Sequence, residues 1–257
     1  MSIQRYDTLL TCLKRYTGWM VMLVWLLLPA SAAAVPDAAG IKVGEQIYQS
    51  GLGLKVPACQ TCHGAHGMGS DAVGAPRLAS QVYTYLYKQL MDFATDRRTD
   101  HVMHQMNNIA KALTDQQRRD VSAYLHTLQM PFTGSNLDKL RKEGVKVGDV
   151  ARGRTIVQFG LQSENIPACQ GCHGYHGQSA GMMFPAISGQ KYVYLTHQLA
   201  SFRRAARGDK TGRSNDYMGA MQGVASKLTN KDINDVSAYL TAAKPPPPPN
   251  NPMTPTN

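Results

Sequence analysis

Pro57-Ala-Cys-Gln-Thr-Cys-His63 and Pro167-Ala-Cys-Gln-Gly-Cys-His173 are the two stretches on which the reading of this chain turns. In each, two cysteines stand two residues apart and a histidine follows at once. That grouping is the attachment motif of c-type haem. Thiols at this spacing add to the two haem vinyl groups, and the adjacent imidazole is aimed at the iron as its proximal ligand. Cys59, Cys62, Cys169 and Cys172 are therefore the expected attachment points, with His63 and His173 as the expected metal ligands. The implied cofactors are two covalently attached haem c groups, each carrying one iron. Three other uses of paired cysteines compete with this one. A zinc site built from all four cysteines, a thioredoxin-like redox pair in a βαβ setting and structural disulfides in a secreted protein each leave both histidines without a role.

Working outward from the motifs, the chain proves to be an internal repeat. His66-Gly67 answers His176-Gly177, Pro76 answers Pro185, and Gln81 answers Gln190. Tyr85-Leu86, Gln89-Leu90 and Phe93 answer Tyr194-Leu195, Gln198-Leu199 and Phe202. Val121-Ser-Ala-Tyr-Leu125 answers Val236-Ser-Ala-Tyr-Leu240. The offset rises from about 110 to 115, which places a small insertion near residues 208–215 of the second copy. Each copy reads as all-α. Helices are expected over about 44–50 and 153–159, and over 81–93 and 190–202. A closing helix starts at Thr114, with Gln117 placed for a capping box, and again at Thr229. Val121, Tyr124, Leu125 and Leu128 follow the spacing of a buried helical stripe. Strand signals are weak.

The first 34 residues have the form of an export signal. Arg5, Lys14 and Arg15 precede an apolar run from Gly18 to Leu28, and small residues follow it at 30–34. The run is short for a bilayer span of about 20 residues. Cys12 lies before it and is expected to leave with the signal. The organisation expected is a signal over 1–34, a first domain over 35–131, a linker over 132–146, a second domain over 147–243 and a proline-rich tail over 244–257. The formal net charge of +10 falls to about +8 without the signal. A basic exterior favours acidic partners or anionic membrane surfaces. Neither a lysine–arginine run nor aromatic–basic interleaving points to nucleic acid.

Methionine opposite histidine is the ligation of electron-transfer cytochromes c, since the thioether raises the potential. Met103 and Met106 lie far enough along the first copy to return over the opposite haem face, and Met218 and Met221 hold the same places in the second. Met106 and Met221 are preferred. Each stands eight residues before the threonine that caps the last helix, and each is followed by Ile-Ala or Val-Ala. Met182 and Met183 have no partner in the first copy. His66 and His176 sit on the same local turn as the proximal histidines and are expected to bond locally or to lie exposed. Pro76 and Pro185 follow those histidines by 13 and 12 residues. A backbone carbonyl there is placed to hold the imidazole N–H.

On these motifs, over about residues 38–243, the chain resembles the cytochrome c4 family of di-haem class I cytochromes c. The resemblance implies two tandem class I cytochrome domains joined by a linker, with their haems meeting at the domain interface. It gives His63 and Met106 to one iron and His173 and Met221 to the other. It implies a periplasmic electron carrier and no enzyme. The expected donor is a cytochrome bc1 complex or a copper protein, and the expected acceptor a terminal oxidase, with peripheral membrane association as a further possibility. The alternatives are a haem subunit of a flavocytochrome-like dehydrogenase complex, or a di-haem sulfur-compound dehydrogenase or peroxidase with one open iron.

Overall fold

The side chain of Asp37 accepts from the backbone N–H of Gly40 and starts helix α1, Ala38–Ser50. Gly51, at φ 70°, ends it with a bond back to Ile47. The same pair of signals brackets α7, Val150–Phe159. Asp149 caps its start, and Gly160, at φ 74°, closes it onto Ile156. The computed structural model describes residues 36–99, 104–179 and 184–242. The expected export signal, Met103, Met182, Met183 and the proline tail lie outside the described residues.

Each copy then lays down four further helices. In the first these are α2, Gln60–His63; α3, Tyr83–Ala94; α4, Gln105–Ala112; and α5, Asp115–Thr127. In the second, after α7, they are α8, Gln170–His173; α9, Tyr192–Ala206; α10, Ala220–Ala225; and α11, Asn230–Ala242. Among the described residues the only sheet pairing is two isolated bridges, Ser70–Ala75 and Leu161–Ile166. The capping box at Thr114 and Gln117 is present in full. In the second copy Asp232 does the work of Gln117, accepting from the Thr229 backbone N–H while the Thr229 hydroxyl accepts from the Asp232 backbone N–H.

The first and last helices of each copy cross closely. A Cβ on Gly44 would lie 2.1 Å from the Asp120 carbonyl oxygen, and one on Gly153 would lie 1.9 Å from that of Asp235. Only glycine lets the two backbones come this near. Around the crossings lie two matched cores. One holds Ile47, Tyr48, Leu86, Val121 and Leu125; the other holds Ile156, Val157, Leu195, Val236 and Leu240. The expected stripe on the closing helix is buried at Val121, Tyr124 and Leu125.

The segment expected to be a polar linker is more ordered than its composition suggests. Residues Leu137–Lys142 form helix α6, capped by Asn136, and Leu140 is buried against Tyr192 and Ala238 of the second copy. Leu137, Val145 and Val147 pack against the same cluster.

The second crossing carries an ion pair with no counterpart at the first among the described residues. Arg152 lies 2.6 Å from the carboxylate of Asp232 and 2.7 Å from that of Asp235, both buried. Burial pushes both carboxyls up, but their hydrogen bonds and Arg152 outweigh it and leave both lowered. A depressed folded pKa contributes stability above the unfolded value near 4, lost as pH falls through the folded value. The melting temperature of the holoprotein should therefore drop on acidification below about pH 4. In Asp235→Asn that acid dependence should shrink.

Candidate functional site

Cys59 caps α2 and His63 ends it, so the two stand four residues apart on one face of a single helical turn. The backbone N–H of His63 donates to the Cys59 carbonyl at 3.0 Å, and Gly64, at φ 79°, turns the chain away. Cys169, His173 and Gly174 repeat the arrangement in α8. The inner thiols, Cys59 and Cys169, are half-buried against the cores, while Cys62 and Cys172 are exposed. Both histidines are buried. Nδ1 of His63 lies 3.0 Å from the carbonyl oxygen of Pro76, and Nδ1 of His173 lies 2.9 Å from that of Pro185. A carbonyl only accepts, so in both rings Nδ1 carries the proton and Nε2 the lone pair. Burial lowers the pKa of His173 despite the Pro185 bond, which favours the neutral ring that a metal needs.

These residues fit the haem that the motifs imply. Burial pushes the Cys59 and Cys169 thiols up to about 11. Among the described residues no three His, Cys, Asp or Glu side chains converge as a metal cluster. Positive charge is also buried without its counterpart. Arg77 is 3% exposed; its Nε and Nη1 lack a hydrogen-bond partner, and burial lowers its pKa to about 10. Such a group is completed by an anion, and a haem carries two carboxylates.

A pair of arginines joins the copies. Arg98 donates to Gln89 of its own copy and to Tyr194 and Gln198 of the other. Arg213 mirrors it, donating to Gln198 and to Tyr85 and Gln89. Each guanidinium lies over a phenylalanine of its own copy, Phe93 or Phe202, 4.5 Å from the ring centre. Their hydrogen-bond partners in the other copy are neutral amides and phenols.

The family model for cytochrome c matches residues 41–129 and again 150–244. Cytochrome c4 of Pseudomonas aeruginosa is 33% identical over 85% of this chain and 96% of its own. The chain belongs to the cytochrome c4 family. It is thus a di-haem electron-transfer cytochrome, with two covalently bound haem c groups in two tandem, all-α cytochrome c domains. Another relative, the thiosulfate dehydrogenase electron acceptor of Stutzerimonas stutzeri, is 33% identical over 84% of this chain and 93% of its own. The crystal structure of reduced cytochrome c4 from Pseudomonas stutzeri superposes with a TM-score of 0.60. It has 28% sequence identity, over 81% of this chain and 98% of that one.

Within this cytochrome the expected methionines take equivalent places. Met106 is the second residue of α4 and Met221 the second of α10, and both are half-buried. Met218, the other described candidate of the second copy, is 86% exposed. His66 is exposed, and His176 lies 2.7 Å from the Tyr239 hydroxyl. The Ala-Ser of residues 79–80 against the Ser-Gly of 188–189 makes little difference to the loop. Ser80 adopts φ 58° where Gly189 adopts 61°, and its hydroxyl secures the turn by bonding to Met130. Sequence reasoning missed the arginine pair. Arg98-Thr and Arg213-Ser differ by the same 115 residues that separate the methionines, and that spacing was the available signal. Among the described residues no helix is long and apolar enough to cross a membrane.

Proposed function

We propose that this cytochrome is a periplasmic one-electron carrier in which His63 and Met106 ligate one iron and His173 and Met221 the other. The bound haem supplies the one-electron chemistry. The chain's own residues fix each imidazole tautomer through Pro76 and Pro185, bury both rings, and join the two sites through one mirrored interface. That mirrored construction is the observation that carries the proposal: two like sites built back to back suit electron relay. The chain itself is not proposed to turn over a substrate. Its expected route runs from a bc1-type or copper-protein donor towards a terminal oxidase, with the membrane surface as a peripheral contact.

The test is a spectroscopic redox titration of the matured holoprotein, followed by carbon monoxide addition to the reduced form. Two low-spin, high-potential haems that ignore carbon monoxide are expected. A low-potential haem, or one that binds the gas, counts against the ligand set and favours an enzyme with one open iron.

A second reading concerns the donor. The relative named as a thiosulfate dehydrogenase electron acceptor supports a sulfur-compound dehydrogenase as the electron source. Stopped-flow reduction by such a dehydrogenase, compared with a bc1 complex, separates the two. The net charge of about +8 that remains without the expected export signal predicts that reduction by an acidic partner slows as salt is raised from about 10 to 200 mM, because screening shortens the reach of steering. A salt-independent rate would remove the steering claim.

A further inference from the structure

We propose that Gln81 and Gln190 are crossed positioning residues, each holding the peptide that anchors the proximal histidine of the opposite domain. This rests on His63 and His173 being the iron ligands. The peptide unit between Pro76 and Arg77 is engaged at both ends. Its carbonyl accepts from His63, and its N–H donates to Oε1 of Gln190 at 2.6 Å, across the domain boundary. The same amide returns a bond from Nε2 to the Arg77 carbonyl at 2.9 Å. Gln81 mirrors this. The Pro185–Ala186 peptide accepts from His173 and donates to Oε1 of Gln81 at 2.8 Å, while Nε2 of Gln81 donates to the Ala186 carbonyl at 2.9 Å. Each oxygen also accepts from the next backbone N–H, that of Val82 or Lys191. Both glutamines are buried, at 5% and 6% exposure.

Two-point contact fixes both the amide orientation and the position of the peptide. It also acts electronically. A hydrogen bond at a peptide N–H moves electron density onto the carbonyl oxygen, strengthening the next bond in the chain. The Pro76 oxygen then pulls harder on the Nδ1 proton of His63, and a more basic imidazole favours the oxidised iron. Gln190 in the second domain thereby sets the potential of the first site, and Gln81 in the first domain sets that of the second. Loss of either bond should raise the potential of the opposite haem.

NMR-monitored redox titration of the holoprotein, following the haem methyl resonances of each site separately, tests this in Gln190→Leu and Gln81→Leu. In Gln190→Leu the Fe(II)/Fe(III) ratio of the first haem, at fixed potential, is expected to rise about threefold, or ~28 mV at ~59 mV per tenfold. The second haem should move much less. Gln81→Leu should give the reverse pattern. Equal movement of both haems, movement of the mutant's own haem, or no movement overturns the proposal. If the leucine variants do not mature, Gln190→Glu and Gln81→Glu decide. They keep the accepting oxygen and should lower the opposite haem's potential; a shift confined to the mutated domain, or none, overturns the proposal. Ligation is checked independently. Hyperfine-shifted ring protons of His63 and His173 in the unmodified protein establish it, and their absence sinks the reading beneath the proposal, whatever the variants do.

Discussion

A Cys59→Ser, Cys62→Ser double variant is expected to mature with one haem per chain instead of two. The two thiols are the first domain's expected covalent hold on its haem. Cys59 also packs against the cluster of Ile47, Leu86 and Val121, so loss of the haem strips that small core of a large apolar surface. Helices of 4, 8, 12 and 13 residues are too short to persist without such packing. The first domain should therefore unfold while the second keeps its haem, since the second takes its core from residues 156–240. Iron per chain and haem staining on a denaturing gel measure the outcome. Retention of two covalent haems would disprove the attachment assignment. Loss of both would show that the halves do not mature independently.

The second large effect is expected at the methionines. Replacing Met221 with Ala should open one iron, so that about half of the reduced haem binds carbon monoxide. The potential of that site should fall on the order of 0.1 V, well within the ~0.8 V span that axial ligands command. Met106→Ala should do the same at the other haem. Met218→Ala, at a side chain standing in solvent, should leave both spectra unchanged. A silent Met221→Ala with an active Met218→Ala would reassign the ligand. Because Met106 and Met221 hold equivalent places in their copies, the matched pair of variants also tests whether the two domains ligate alike.

Much of this was legible in the residues themselves. The CxxCH motifs, the cap at Thr114 and the stripe along Val121–Leu125 depend on neighbours within one turn or one helix, and such local chemistry survives in linear order; the repeat shows in it as matched residues. The Pro76 and Pro185 carbonyls were placed by repeat spacing. The helix at Leu137–Lys142 was not, because the apolar surface that buries Leu140 includes Tyr192 and Ala238, some 50 and 100 residues away.

Linear order carries the chemistry: two haem motifs, two copies of one helical plan, and candidate methionines at matched positions. The tertiary structure decided how the copies meet. Gln81, Gln190, Arg98 and Arg213 are ordinary polar residues in the chain and become buried, cross-domain partners only in the fold. The reason is physical. A buried amide or guanidinium takes its meaning from what satisfies its hydrogen bonds, and here those partners lie 96 to 128 residues away.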